Sequence, residues 1–373
     1  MKKCLSLFLA VVVLIPLFAV AAKGLDCDAL SAECAALMCV QTGELLFEKN
    51  AHTRHSMAST TKIMTSLIAL EQNTPSRQIK VSPSMLRVEG TSMGLAENDV
   101  VSLETLVYGM LLESGNDAAN VTACAVAGSI EKFAVMMNER AKLIGMKNTN
   151  FVTPSGLDDE NHYSTAYDMA LLGCCAVKNP EFLNICSRKK AVVSFGNPAY
   201  ERTLYNHNKL LSSYDSAVGI KTGFTKKSGR CLVSCAEKDG VSLVAVTLNA
   251  PGDWQDHKKM LDYGFFVIKP VEKAISGLSI PVVGGEKVSV RLDSVSANLL
   301  SDKTAAVIFT EKFLYAPVAK GTVAGEVRIV TDAKVLQKIP LVVSEDIEAL
   351  PSEIQKESKS DGFISRLFGR FSN

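Results

Sequence analysis

No two cysteines in this 373-residue chain are spaced C-x-x-C, and histidines number only five. The sequence therefore offers little from which to build a tetrahedral zinc site, and no metal or other cofactor is expected. An excess of one charge is missing as well: 40 lysines and arginines face 39 aspartates and glutamates, for a formal net charge of +1. That balance argues against a nucleic-acid partner, whose phosphates call for a basic face. An anionic substrate would have to be held by a few placed cations. Internal repeats are absent too. What is present is apolar material, 47% of residues against 21% charged, enough for a large core and, at this length, for two domains with appendages.

The two ends differ from the middle. Met1-Lys2-Lys3 is a short basic start, Cys4 to Val20 is almost wholly apolar, and Ala19-Val20-Ala21 supplies small residues for cleavage. This is the pattern of an export signal, here residues 1–21. Losing Cys4 with it leaves an odd number of the ten cysteines, and the expectation is free thiols packed as small apolar residues. At the other end Ser352 to Asp361 is a polar tether. Beyond it Phe363, Ile364, Leu367, Phe368 and Phe371 fall on one helical face, with Ser365, Arg366 and Arg370 on others. That is the pattern of a helix lying in a membrane surface.

Between the ends the hydrophobic period changes. Ala36 to Val40, the turn Gln41-Thr42-Gly43-Glu44, and Leu45 to Phe47 read as strand, turn and strand. Ile63 to Leu70 is apolar on nearly every side, as a helix buried in a core is. Leu103 to Ala127 reads as two helices broken at Ser114-Gly115-Asn116, and another opens at Thr165, with Asp168 placed to complete a capping box. From Ser216 to Asn249 strand patterns return, with Asp239-Gly240 turning the last pair. Strands at both ends with helices between predict one mixed α+β domain whose terminal strands join a single antiparallel sheet. After Pro270 short strand patterns separated by glycines predict a small all-β domain reaching about Val343, with no catalytic constellation inside it.

Ser59-Thr60-Thr61-Lys62 puts a hydroxyl and an amine on one face of a helix. A serine attacks poorly until a base takes its proton, and only about one lysine in two thousand is neutral at pH 7. Burial and a second cation both lower that pKa, and the apolar helix after Lys62 supplies the first condition. The pair alone is weak evidence, since Ser187 and Lys190 match the same spacing. Company separates them: Ser59 and Lys62 are followed in order by Ser114-Gly115-Asn116 and Lys221-Thr222-Gly223. Ser296-Ala297-Asn298 falls after the last of these and is taken as chance. Ser114, in a helix break, suits a proton relay to the leaving group. Asn116 suits a clamp on Lys62 and a substrate carbonyl. Lys221 suits a carboxylate and lowers the pKa of Lys62, and Thr222 adds a hydroxyl. Gly223 would let a peptide approach as an added strand, and the Ser59 amide suits an oxyanion.

In that order the residues resemble the low-molecular-mass penicillin-binding proteins that act as serine-type D-Ala-D-Ala carboxypeptidases. The likeness runs through Ala58 to Thr65, Glu113 to Ala119, His162 to Asp168 and Gly219 to Thr225, and covers about Ala36 to Phe265. It implies a β-lactamase/transpeptidase-like domain over 25–268, with a five-stranded antiparallel sheet flanked by helices, and a small all-β domain over 271–345. It implies that Ser59 attacks the bond between the terminal D-alanines of peptidoglycan stem peptides, and that β-lactams acylate the same serine. Lys221 and Thr222 would hold the terminal carboxylate, and the amides of Ser59 and Phe224 would form the oxyanion hole. Phe224 stands where some relatives carry histidine. An arginine that some relatives use on the carboxylate is not assigned; Arg230, Lys258 and Lys259 are candidates. Relatives carry similar tails for peripheral attachment to the outer face of the cytoplasmic membrane. A class A β-lactamase is the nearest rival, yet Asp158-Asp159-Glu160-Asn161 lacks the E-x-x-x-N spacing of its deacylating carboxylate. Endopeptidase action on cross-links would use the same chemistry on another leaving amine, and a non-catalytic wall-binding protein would have no need of the full set.

Overall fold

The structure is a computed structural model that describes residues 25–351, less 269, 301–303 and 332–333, together with the backbone of Val11–Val12. The export signal, those two residues apart, and the amphipathic stretch 362–371 lie outside the described residues. The described residues divide into two compact units, one within 25–268 and the other within 270–351 together with Val11–Val12.

The first unit is built on a five-stranded antiparallel sheet. Its strands are β1 (Cys34–Cys39), β2 (Leu45–Lys49), β7 (Ala217–Thr225), β8 (Gly229–Lys238) and β9 (Val241–Leu248), in the order β2-β1-β9-β8-β7. Central strands β1 and β9 are almost continuously apolar because both faces of the sheet are covered. Side chains alternate between those faces. Leu37 and Leu243 meet Gly264 of helix α8 (Asp253–Val267), whereas Val233, Val244 and Ile220 meet Gly173 of helix α5 (Ala166–Ala176). Both glycines let a helix sit close to the strands: a Cβ on Gly264 would lie 2.6 Å from Leu243, and one on Gly173 2.8 Å from Val244.

The α5 side carries the catalytic motifs. Helix α1 (Lys62–Leu70) is buried along its whole length among α2 (Leu103–Leu111), α3 (Asn116–Ala127), α4 (Ile130–Ile144), α5 and α6 (Pro180–Cys186). That surround accounts for its apolar residues on every side. The expected break between α2 and α3 is present, and Ser114 within it has φ +62°, a conformation costly for a residue with a side chain. At α5 the Thr165 hydroxyl accepts from the Asp168 amide, as in a capping box. The Asp168 carboxylate does not reach back; it accepts instead from the Asn148 amide and the Thr149 hydroxyl. A second sheet went unread in the sequence: β3 (Gln78–Lys80), β4 (Val100–Ser102), β5 (Lys190–Gly196) and β6 (Ala199–Tyr205) pair in that order. Lys190 thus begins a strand while Ser187 ends α6, so the second serine–lysine spacing spans an element boundary.

The β-rich unit has its own core, with Ile280, Val290, Val327, Ile329 and Leu341 buried within it. Its largest sheet carries Ala305–Thr310, Val323–Val330 and Val335–Val342, with Val11–Val12 registered against Ile308 and Val307. Ser296-Ala297-Asn298 lies on its strand Val295–Leu299, in a different unit from the other motifs. Among the described residues Cys34, Cys39, Cys186, Cys231 and Cys235 are free thiols buried in the first unit.

Helix α8 is tied to the sheet by His257, buried between the Ser234 hydroxyl at 2.5 Å and the Thr247 hydroxyl at 3.0 Å. Burial holds its imidazole at a pKa of about 3 instead of 6.5. His162, also buried, is lowered to about 4. Between pH 6.5 and these values the unfolded chain binds protons that the folded chain refuses, so acidification favours unfolding. Urea midpoints are expected to fall as pH is lowered from 6.5 toward 4, and His257→Asn is expected to flatten that slope.

Candidate active site

Ser59 stands in a single helical turn, Ala58–Thr61, that leads directly into α1. Ala58 has φ +46°, a left-handed conformation that turns the chain abruptly before the serine. Gly156 presses on this turn so closely that a Cβ there would lie 1.9 Å from the Ala58 carbonyl oxygen. One turn on, the fully buried Lys62 Nζ lies 2.8 Å from Ser59 Oγ, 2.7 Å from Asn116 Oδ1 and 2.7 Å from the Ser155 carbonyl.

The chemistry of those three neighbours fixes what a neutral lysine would do. Asn116 Nδ2 donates to the Glu89 carbonyl at 2.7 Å, which orients Oδ1 toward Lys62 as an acceptor. The Ser155 carbonyl is likewise only an acceptor. Together they take both N–H bonds of a neutral amine and leave its lone pair facing the Ser59 hydroxyl. Burial, then the Lys221 cation, hold Lys62 well below the ordinary lysine range, opposed by the negative charge of Asp117. Lys221 is itself buried, which lowers its pKa to about 7, and its ammonium donates to the Thr222 carbonyl at 2.9 Å. Among the described residues no carboxylate forms an ion pair with either lysine.

A cleft of about 340 Å³ opens over this core, walled by Ser59, Ser114, Thr222, Gly223 and Phe224. Lys62, Asn116 and Lys221 lie buried beneath it. The sequence motifs therefore converge, with three refinements. Ser114 shares the cleft with Ser59 but makes no hydrogen bond to Lys62, whose three contacts are filled elsewhere. Asn116 has one N–H committed to Glu89 and one left for a substrate carbonyl. Gly223 has a second role: a Cβ there would lie 3.1 Å from the Met57 carbonyl and from the Ser59 and Thr60 amides. Its missing side chain makes room for the Ser59 turn, while the residue itself lines the cleft. The added-strand idea keeps a different support, since β7 is the outer strand of its sheet.

The cleft also contains groups that the motifs did not announce. Thr91, His207 and Lys209 line it, as do Arg230, Asp253 and Trp254. Arg230 was among the candidate carboxylate ligands; both Asp253 oxygens accept from it at 2.8 Å. Lys259 instead donates to the Ala29 carbonyl, and Lys258 is not among the lining residues. Phe224 is 66% exposed at the rim. None of these positions follows from spacing, because they come from remote segments: Thr91 from one loop, His207 and Lys209 from another, Arg230 from β8, and Asp253 and Trp254 from the start of α8. A larger hollow of about 490 Å³ in the β-rich unit, beside Phe309 and Arg328, holds no serine–lysine pair.

Comparison with known proteins places this geometry. Residues 20–252 match the family model described as D-alanyl-D-alanine carboxypeptidase, and residues 275–349 match that of the penicillin-binding protein 5 C-terminal domain. The chain is 30% identical over 340 residues to D-alanyl-D-alanine carboxypeptidase DacF of Bacillus subtilis, covering 85% of this chain and 86% of that one. It is 33% identical to DacC of Escherichia coli, covering 84% of this chain and 83% of that protein. Among solved structures, penicillin-binding protein 5 of Haemophilus influenzae aligns with a TM-score of 0.63 at 30% identity, over 87% of this chain and all of that one. The Streptomyces K15 DD-transpeptidase aligns with a TM-score of 0.62 at 28% identity, over 66% of this chain and all of that one. With the fold, the ordered motifs and these matches in agreement, the chain belongs to the D-alanyl-D-alanine carboxypeptidase family.

Proposed function

We propose that this chain is a serine-type D-Ala-D-Ala carboxypeptidase that hydrolyses the terminal peptide bond of peptidoglycan stem peptides through an acyl-enzyme on Ser59. The observation that carries the reading is the contact of Ser59 Oγ with a buried, desolvated Lys62 whose other two neighbours are pure acceptors. As Ser59 attacks the carbonyl of the penultimate D-Ala, its proton passes to Lys62. The oxyanion is received by the amides of Ser59 and Phe224. The C–N bond breaks, the leaving amine takes a proton by way of Ser114, and D-Ala departs. Water then attacks the ester with Lys62 again as base, which restores the Ser59 hydroxyl. A buried Lys221 without a carboxylate partner favours an anionic ligand, and Lys221 with Thr222 is the proposed seat of the terminal carboxylate. A β-lactam would open on Ser59 by the same first step and remain as an ester.

We also propose that the chain is exported after removal of residues 1–21, with its catalytic domain over 25–268, its β-rich domain over 271–345, and residues 351–373 resting on the outer face of the cytoplasmic membrane. The basic, apolar and small-residue order of the leader supports export, and the one-sided apolar pattern of the tail supports a peripheral surface contact. Among the described residues no helix is long and apolar enough to cross a membrane.

The base must be neutral and Lys221 must be charged. In the free enzyme kcat/KM therefore rises as Lys62 loses its proton and falls as Lys221 loses its own above about pH 7. A bell-shaped profile is expected, and Lys221→Arg, which keeps its charge, is expected to move the alkaline limb upward. Ser59→Ala is expected to lower D-Ala release from a D-Ala-D-Ala peptide by on the order of 10⁴-fold or more, and to abolish the covalent penicillin adduct seen by intact-protein mass spectrometry. Persistent D-Ala release would remove Ser59 from the mechanism, and rapid turnover of penicillin would favour the β-lactamase reading.

A further inference from the structure

The cleft wall on the Ser114 side is a loop, and a single buried carboxylate organises it. Asp117, in the first turn of α3, is 4% exposed. Its Oδ1 accepts from the Met93 amide at 2.9 Å and from its neighbour Ala118 at 2.9 Å. Its Oδ2 accepts from the Ser92 hydroxyl at 2.6 Å and from the Gly94 and Leu95 amides at 3.1 and 3.0 Å. Four backbone amides and a hydroxyl thus converge on one side chain that no cation neutralises among the described residues. A helix N-terminus favours negative charge, but three of the amides and the hydroxyl come from a loop more than twenty residues away.

That loop is what holds the reacting groups. The Thr91 hydroxyl donates to the Ser114 carbonyl at 2.8 Å, and the Asn116 amide donates to the Thr91 carbonyl at 2.7 Å. The Glu89 carbonyl orients the Asn116 side chain. The fit is close throughout: a Cβ on Gly115 would lie 2.7 Å from Asp117 Oδ1, and one on Gly90 2.8 Å from Asn116 Nδ2. From the far side Arg202 donates to the Gly94 carbonyl at 2.7 Å. Ser114 is kept at positive φ by these ties on either side of it.

We propose that Asp117 is a positioning residue for acyl transfer: its carboxylate folds Ser92–Leu95 against α3, and so fixes Ser114, Asn116 and, through Asn116, the Lys62 amine in the reacting arrangement. Its charge acts in the same place. The charged groups that bear on Lys62 are Lys221 from β7, which lowers its proton affinity, and Asp117 from α3, which raises it. A base that must take a proton from Ser59 and later surrender it needs an affinity between the extremes, and Asp117 limits how far burial and Lys221 depress it.

This rests on the Ser59–Lys62 reaction proposed above, so the wild-type protein is measured first: no penicillin adduct would overturn that reaction and leave nothing for Asp117 to position. Given an active parent, Asp117→Asn keeps the size but replaces an acceptor oxygen by a donor facing amides. The second-order rate of acylation by a penicillin is expected to fall on the order of a hundredfold, and its acid limb is expected to move to lower pH because an anion near Lys62 is gone. Ser92→Ala removes one bond and no charge; it is expected to slow acylation several-fold with the acid limb unmoved, and it can be read even if Asp117→Asn fails to fold. Wild-type rates in either variant, or loss of rate in Asp117→Asn with an unmoved limb, would overturn the proposal.

Discussion

The burial of an amine without a carboxylate partner is the constraint on which the rest of this molecule turns. Lys62 is sealed at the start of a helix that is itself enclosed by other helices, and three oxygens surround its Nζ. In water such an amine would be protonated and useless as a base. Enclosure makes the charged form costly, and the two acceptor-only neighbours give the neutral form a fixed direction. The stability lost by burying a lysine is the physical counterpart of the reactivity proposed for Ser59.

The fold delivers those oxygens from three distant places. Asn116 comes from the first turn of α3, Ser155 from the loop that runs toward His162, and Ser59 from the turn before α1. His162 couples two of them: its Nδ1 accepts from the Val152 amide at 2.9 Å, which leaves Nε2 as the donor to the Thr61 hydroxyl at 2.8 Å. Because burial lowers the ring's pKa to about 4, this tie between loop and Ser59 turn persists above about pH 4. On the opposite side β7 brings Lys221 under the cleft, and Gly223 lets the strand lie against the Ser59 turn. The five-stranded sheet is the fixed plate behind both.

Much of this could be read in the sequence because it lies in local order. The serine–lysine spacing, the break at Ser114 to Asn116 and the strand bearing Lys221 each declare themselves within a few residues, and their sequence order marks the family. The all-round apolar α1 was legible as a buried helix, and the α+β architecture followed from strands at both ends of the first domain. What stayed hidden depends on contacts between remote segments. Ser155 acts through a backbone carbonyl, which carries no side-chain signature. Asp117 carried no reading of its own in the sequence, and only the folded chain brings the Ser92 hydroxyl and the Met93, Gly94 and Leu95 amides to it. The fit of Gly223 against the Ser59 turn went unread because a strand pattern says which face a residue takes but not what lies against that face. The hairpin of β5 and β6 escaped because β6 buries only Leu204, so half of the hairpin carries no apolar alternation to match that of β5.

The most direct test of the central claim is a product analysis. Purified muropeptides, monomeric and cross-linked, are incubated with the full chain and followed by mass spectrometry. The account predicts that monomers ending in D-Ala-D-Ala each lose one alanine while cross-linked dimers stay joined. Unchanged monomers, or dimers cut apart with their terminal alanines intact, would contradict it.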